Sequence, residues 1–125
     1  MVMPHKILVV DDERVSLSLI KFGLAGERYN IIMAHDGQEA LQKVEDEKPD
    51  LIILDVQMPN MNGYEFMQEL KQKQGIKTTP VIMVTSNETM EDLFLLEGVK
   101  AYFVKPVKLA ELIEKVRQCL GPNPL

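Results

Sequence analysis

The chain has one cysteine and no tryptophan, and none of its apolar runs is longer than four residues. The single cysteine, Cys119, excludes an intramolecular disulfide and fits a reducing compartment. Apolar runs of four residues fall far short of the ~18 that a membrane span needs. The N-terminal sequence MVMPHKILVVDDE reaches acidic residues too early for a signal peptide. We therefore predict a cytoplasmic protein without a membrane segment.

An excess of positive charge is also missing, because the net charge is −5 at pH 7. Nonspecific binding to nucleic acid needs a basic footprint, so no direct nucleic-acid partner is predicted. What is present is an ordinary globular composition, 46% apolar and 26% charged. A chain of 125 residues is long enough to bury a core of its own. We predict a single domain over residues 1–125.

Five short apolar runs alternate with segments of helical period. Each run is continuous rather than alternating, which is typical of strands covered on both faces. The runs are residues 7–10, 31–34, 51–54, 81–84 and 101–104, and the helical segments are residues 14–25, 37–44, the stretch entered through residues 60–63, a short fourth helix and residues 109–120. The alternation of strands and helices predicts an α/β fold, and right-handed crossovers leave few topologies for it. Its doubly wound five-stranded parallel sheet should have the flavodoxin-like order 2-1-3-4-5, with helices on both faces.

Chemically active side chains follow four of the five predicted strands. They are the acids of Asp11-Asp12-Glu13 after strand 1, Asp55 after strand 3, Thr85-Ser86 after strand 4 and Lys105-Pro106 after strand 5. Ligands of such sheets bind beyond the carboxyl ends of the strands, at the switch point between strands 1 and 3. Each residue alone has a purely structural alternative, because acids and hydroxyls also cap helices and a lysine is often simply solvated. Their joint placement at one edge favours a shared site.

Carboxylates that converge in this way repel each other by about 3 kcal/mol per pair at roughly 5 Å and an effective dielectric near 20. Lys105 offsets part of this cost, and a hard divalent cation would offset more. Carboxylates, a backbone carbonyl and waters describe a Mg²⁺ site better than an all-protein calcium cage. Zinc is not predicted, because His5, His35 and Cys119 lie far apart in the pattern. An aspartate beside Mg²⁺, a hydroxyl and a lysine is suited to phosphoryl transfer, with Asp55 as nucleophile.

The segments VVDDE, LDVQMPNMNG, PVIMVTS and YFVKP, in this order, resemble the receiver domain of two-component response regulators, chemotaxis regulators of a single domain in particular. The resemblance spans Lys6 to about Leu120. It implies a signalling module that accepts a phosphoryl group from a sensor histidine kinase or a phosphotransfer protein, with Mg²⁺ as cofactor. It also implies that the chain is not an enzyme beyond its own phosphorylation and slow dephosphorylation.

The resemblance assigns Asp55 as the phosphoacceptor. Asp12 would bind Mg²⁺ directly, Asp11 largely through water, and Gln57 through its backbone carbonyl, with Asp55 completing the set. Gln57 and Asn87 are positions that tune hydrolysis of the acyl phosphate in this family.

The resemblance also assigns the phosphoryl contacts to Thr85 and Lys105 and the switch to Thr85 and Tyr102, with a cis Lys105-Pro106 bond. Phosphorylation would draw Thr85 toward the new oxygens, and Tyr102 would turn into the vacated space. The face of helix 4, strand 5 and helix 5 would then change its affinity for a downstream protein.

Two features depart from the family pattern. Ser86 stands where alanine is common, which adds a hydroxyl near the site. The stretch between Thr85 and Gly98 is a couple of residues short, which predicts a short or differently entered helix 4. Residues 93–96, Leu-Phe-Leu-Leu, span about 400° of a helix and cannot all face the sheet. Either a neighbouring loop covers the extra apolar residue or it forms an exposed docking or dimerisation patch.

Alternatives remain at the level of the whole protein. We expect a stand-alone regulator, either a monomer or a phosphorylation-dependent dimer; the alternative is a receiver from a longer regulator with a DNA-binding or enzymatic output. A Mg²⁺-dependent phosphohydrolase with an aspartyl-phosphate intermediate would usually carry a second acid two residues after the nucleophile. Here that position holds Gln57, although Glu13 lies two after Asp11. A flavin-binding module is disfavoured because acids stand where its phosphate loop would be.

Overall fold

The computed structural model describes residues 3–122. Five strands alternate with five helices along the chain. They are β1 Lys6–Val10, α1 Arg14–Ala25, β2 Asn30–Ala34, α2 Gly37–Glu47, β3 Leu51–Leu54, α3 Gly63–Gln74, β4 Val81–Thr85, α4 Glu91–Leu96, β5 Ala101–Val104 and α5 Leu109–Leu120. Each strand agrees with its predicted apolar run to within one residue at either end.

The five strands form one parallel sheet in the order β2-β1-β3-β4-β5, which confirms the predicted doubly wound topology. The register aligns the carboxyl ends of the central strands, because Val10 pairs with both Ala34 and Leu54. On the other side of the sheet, Thr85 pairs with Val104. The residues that follow these positions therefore emerge at a common edge.

Two apolar layers cover the sheet. The residues of β3 are buried on both faces, as the continuous run predicted. One layer contains Phe66 and Leu70 of α3 with Phe94 of α4, and the other contains side chains of α1 and α5, namely Leu17, Ile20, Leu24, Leu112 and Val116. Within residues 3–122, no helix is both long and apolar enough to cross a membrane.

The fourth helix is short, as expected, with only six residues. Phe94 is fully buried, whereas Leu93, Leu95 and Leu96 are 37%, 44% and 85% exposed. The alternative in which a loop covers the extra apolar residue is therefore wrong, and leucines of α4 lie on the surface. Cys119 is half-buried in α5, where a small apolar residue was expected.

Candidate functional site

The strand ends bring the predicted residues together at the carboxyl edge of the sheet. The hydrogen-bond ladder of the sheet continues one residue beyond β1 and β3. The Asp11 backbone N–H donates to the Ala34 carbonyl and the Asp55 backbone N–H to the Val10 carbonyl, each at a distance of 3.1 Å. The Lys105 amide likewise donates to the Thr85 carbonyl over 2.8 Å. Backbone pairing thus fixes where each of these side chains begins.

Lys105 joins the two central acids. Its Nζ lies 2.7 Å from Asp11 Oδ2 and 3.0 Å from Asp55 Oδ2, with Glu13 Oε1 farther away at 3.8 Å. The side chains of Lys105, Asp11 and Asp55 are only 12%, 2% and 7% exposed. One buried ammonium therefore faces two buried carboxylates, and negative charge remains in excess.

Burial and neighbouring charge shift the ionisation of this cluster. Burial raises the pKa of Asp11, opposed by its hydrogen bond to Lys105 and reinforced by repulsion from Asp55. Burial acts to lower the pKa of Lys105, but the hydrogen bonds to Asp11 and Asp55 outweigh it, and the net pKa is raised. Lys105 consequently keeps its positive charge at neutral pH.

Asp12 completes an all-oxygen donor set. Its side chain is exposed, yet one carboxylate oxygen from each of Asp11, Asp12 and Asp55 lies within 4.8 Å of the others. Hard oxygen ligands at this separation suit Mg²⁺. Gln57 lies beside them, since its backbone N–H donates to Asp55 Oδ1 at a distance of 3.2 Å. The assignment of its carbonyl as a metal ligand stays a prediction.

The same local hydrogen bond orients the side chain at three strand ends, because each accepts from the backbone amide two residues further on. These bonds run from Glu13 to Asp11 Oδ1 (2.9 Å), from Gln57 to Asp55 Oδ1 (3.2 Å) and from Asn87 to Thr85 Oγ1 (3.3 Å). The three side chains are therefore held by their own loops.

The purely structural alternative, in which these residues only cap helices, is wrong for α1 and α4. The N-cap residue of α1 is Glu13, whose side chain makes no capping hydrogen bond. Helix α4 begins at Glu91, and its N-cap residue is Met90 rather than Thr85 or Ser86. Ser86 is exposed whereas Thr85 is fully buried, so the two hydroxyls occupy different environments.

Tyr102 is buried in this structure, with 9% of its surface exposed. Its hydroxyl donates to the Asn87 carbonyl, and its ring centroid lies 6.2 Å from that of Phe94. Burial raises the pKa of Tyr102. The backbone of Asn87 thus connects Thr85 through its N–H to Tyr102 through its carbonyl. Sequence reasoning singled out Asn87 only as a rate-tuning position and had no signal for this backbone link. The predicted cis Lys105-Pro106 bond is present.

The loop between β3 and α3 is tightly packed, which the sequence interpretation missed. The Gly63 amide donates to the Val56 carbonyl over 2.7 Å, and a Cβ at Gly63 would lie 2.7 Å from the Asp55 carbonyl oxygen. Asn62 and Glu65 form a reciprocal capping box at the start of α3. The letters N-G-x-E in the sequence were the available signal.

A family model described as the response regulator receiver domain matches residues 7–117. The chain belongs to this family. Receiver domains are signalling modules, and the fold and motif order of this one agree with the expected resemblance.

Two solved structures and one curated relative illustrate the similarity. The chemotaxis response regulator CheY4 of Vibrio cholerae shares 31% identity with a TM-score of 0.84, over 94% of this chain and 100% of that one. The receiver domain of the sensor histidine kinase PA1611 from Pseudomonas aeruginosa PAO1, which has a magnesium ion coordinated in its active site cleft, shares 28% identity with a TM-score of 0.85, over 95% of this chain and 99% of that one. The alkaline phosphatase synthesis transcriptional regulatory protein PhoP of Bacillus subtilis (strain 168) is 41% identical over 120 residues, covering 94% of this chain and 49% of the relative. The chain therefore spans about half the length of that relative.

Proposed function

We propose that this receiver domain accepts a phosphoryl group on Asp55 in a Mg²⁺-dependent reaction. The observation that carries the proposal is the ammonium of Lys105, which lies 2.7 Å and 3.0 Å from carboxylate oxygens of Asp11 and Asp55. Lys105 is then close enough to Asp55 to contact a phosphoryl group formed there, and the Thr85 hydroxyl would supply a further donor. A buried carboxylate with an adjacent fixed cation is arranged for in-line attack on an anionic donor.

The residues that would hold Mg²⁺ are Asp11, Asp12, Asp55 and the Gln57 carbonyl. Their chemistry fits the ion, because three carboxylate oxygens converge within 4.8 Å and, within residues 3–122, no sulfur or imidazole joins them. When bound, Mg²⁺ would neutralise charge between the anionic nucleophile and the anionic donor. Asp11 and Asp55 are held in place by their loop hydrogen bonds and by Lys105.

The switch would use the link through Asn87. A shift of the Thr85 hydroxyl toward a phosphoryl group would act on the Asn87 amide, and the Asn87 carbonyl would pass it to Tyr102. The downstream protein would bind the face of α4, β5 and α5, where Leu95, Leu96 and Val104 are exposed. Whether the protein stays a monomer or dimerises on phosphorylation is measured by sedimentation before and after labelling.

The phosphodonor would be the histidine of a sensor kinase or a phosphotransfer protein. A groove of about 440 Å³ runs along α1 to Lys105 and is lined by Val15, Leu19 and Leu109 among others. Val15 and Leu19 are 68% and 56% exposed, so apolar surface is available beside the site for a protein donor. The relatives of twice this length make a receiver from a longer regulator, with a DNA-binding or enzymatic output, the alternative to a stand-alone regulator.

Labelling with a small-molecule phosphodonor tests the proposal. Acetyl phosphate with Mg²⁺ should add one phosphoryl group, about 80 Da in the intact mass, to the wild type. Asp55→Asn should accept none, while the control Asp46→Asn, at an exposed position in α2, should label like the wild type. If Asp55→Asn labels as well as the wild type, the nucleophile is misassigned.

Melting in the presence of Mg²⁺ tests the metal set separately. At about 10–100 times its dissociation constant, Mg²⁺ should stabilise the folded protein by ~1–3 kcal/mol through mass action. Asp12→Asn should lose most of this response, since it removes the exposed carboxylate of the three. An undiminished response in that variant would contradict the metal site.

A further inference from the structure

The first turn of α2 presses against the loop that carries the phosphoacceptor. A Cβ at Gly37 would lie 2.8 Å from Met61 Cβ and 2.9 Å from the Met61 carbonyl oxygen. Gly37 is buried and does not adopt a left-handed conformation, so close approach rather than backbone torsion requires glycine here. Met61 belongs to the loop of residues 56–62, which leads from Asp55 to α3.

Asp36 adds a polar connection at the same place. Its Oδ1 accepts from the Glu39 amide over 2.8 Å and caps α2, while its Oδ2 accepts from Asn60 Nδ2 over 3.2 Å. Asn60 has a φ of 69°, a conformation that asparagine tolerates better than most residues. One carboxylate therefore connects the start of α2 to the turn of the loop.

The other side of the loop rests on its own strand and helix. The Gly63 amide donates to the Val56 carbonyl, and Gly63 packs directly on the Asp55 carbonyl. Residues 56–62 are thus clamped between α2 and the start of α3. Gln57, whose backbone N–H donates to Asp55 Oδ1, lies within this clamped segment.

We infer that Asp36 and Gly37 are positioning residues for phosphoryl transfer, and that they hold the loop so that the Gln57 backbone and the Asp55 carboxylate face the metal. The inference rests on the proposed function, because it concerns the same site. It assigns α2 a part in the reaction, although neither residue belongs to the acidic cluster. Both act through the loop.

Four variants separate the two contacts. Asp36→Ser keeps a capping oxygen for α2 but lacks the second oxygen that Asn60 binds. Asn60→Gly keeps the positive φ and removes only the amide, and the double variant completes a cycle. Gly37→Ala pushes on Met61, and its matched control is Gly26→Ala, where a Cβ would meet nothing closer than 3.5 Å.

Two measurements are made on folded protein, well below each variant's melting temperature. The first is the Mg²⁺ concentration that gives half-maximal labelling by acetyl phosphate. It should rise about tenfold for Gly37→Ala, since disturbing the groups that orient metal ligands typically costs about 10–100-fold in metal affinity. It should rise about threefold for Asp36→Ser and Asn60→Gly, as expected for loss of one exposed hydrogen bond, with no further rise in the double variant. Labelling at saturating Mg²⁺ should stay near the wild-type rate.

The second measurement is hydrogen exchange of backbone amides in the loop without metal. Exchange should speed up at residues 57–63 in Gly37→Ala, Asp36→Ser and Asn60→Gly, and not in Gly26→Ala. Lower melting temperatures with unchanged Mg²⁺ dependence would show a merely structural role and overturn the inference. Wild-type exchange in Gly37→Ala would overturn it as well. If the wild type itself is never labelled, the proposed function fails. If labelling depends on Asp55 but is indifferent to Asp36 and Gly37, only the inference fails.

Discussion

The segments that follow β3 and β4 both start from candidate site residues at the same sheet edge, yet they are built differently. After Asp55 the chain packs against α2, passes the close approach of Gly63 and enters α3 through a capping box. After Thr85 it enters a six-residue helix whose N-cap residue, Met90, makes no side-chain hydrogen bond. Only Phe94 of that helix is buried.

The difference separates two requirements of one module. The proposed in-line chemistry needs fixed positions, and the segment after β3 is held on both sides. A signal needs an element with few anchors that a small change can displace, and α4 meets that description. Its main polar anchor is Glu97, just beyond its end, whose Oε1 accepts hydrogen bonds from Gln68 and, over 2.9 Å, from Lys71. Because Gln68 and Lys71 belong to α3, the firmly held segment after β3 also restrains the weakly anchored α4.

The largest expected effect comes from breaking the held region at Gly63. Gly63→Ala places a Cβ 2.7 Å from the Asp55 carbonyl oxygen and 2.9 Å from Val56 Cα, both backbone atoms that cannot swing aside. We expect a loss of about 3 kcal/mol in the free energy of unfolding, as for other overpacked sites. Urea denaturation checks this, with Gly26→Ala as the control expected to stay near the wild type. A loss below about 1 kcal/mol would mean that the loop is not rigid.

Repulsion within the acidic cluster should make the free energy of unfolding depend on pH. Folding raises the pKa of Asp11 above its ordinary value of 3.8. Protonated Asp11 therefore contributes its full stabilisation below pH 3.8, and this contribution to the free energy of unfolding is lost as pH rises through the folded pKa. The lowered pKa values of Glu45 and Glu97 act in the opposite direction, so the informative quantity is the difference from Asp11→Asn.

At pH 7 without metal, Asp11→Asn should be more stable than the wild type by about 1–2 kcal/mol. This is the relief of a repulsion of about 3 kcal/mol, less the weakened bond to Lys105. The advantage should shrink toward pH 3 and in the presence of Mg²⁺. Denaturation curves for both proteins across this range measure it, and a constant difference would contradict the repulsion.

The smallest effect should come from releasing the weakly anchored α4 from α3. Glu97→Ala removes the bonds to Lys71 and Gln68, and because the lysine is more than a third exposed we expect a global loss of only about 0.5–1 kcal/mol. Amides of α4 should nevertheless exchange several-fold faster, while those of α3 change little. Exposed Glu88, in the preceding loop, provides the control Glu88→Ala. Equal acceleration in both helices would show that α4 is not separately anchored.

Much of the fold was predictable because the strands of this parallel sheet leave a continuous apolar signature, both where they are fully buried, as in β3, and at the partly exposed edge, as in β5. The runs at residues 51–54 and 101–104 coincide with β3 and β5, and parallel order then places Asp11, Asp55, Thr85 and Lys105 at one edge. Meeting of the acids with Lys105 follows from topology alone. The all-oxygen character of the site is likewise readable from residue types.

What the sequence could not supply depends on tertiary contacts of single atoms. The close approach of Gly37 to Met61 leaves no sign in the sequence pattern, because a glycine at the start of a helix is ordinary. The bond from Tyr102 to Asn87 ends on a backbone carbonyl, which has no residue signature. In residues 93–96 the helical period left two alternatives open, and the choice rested on whether any loop reached that surface. None covers Leu96.

The central claim, that Asp55 receives the phosphoryl group, is tested most directly by locating the label. Protein phosphorylated by acetyl phosphate with Mg²⁺ is reduced with borohydride, which converts an aspartyl phosphate to homoserine, and is then mapped by peptide mass spectrometry. We predict homoserine at position 55 and at no other acid. Homoserine at position 11 or 12 with an unmodified Asp55 would contradict the account.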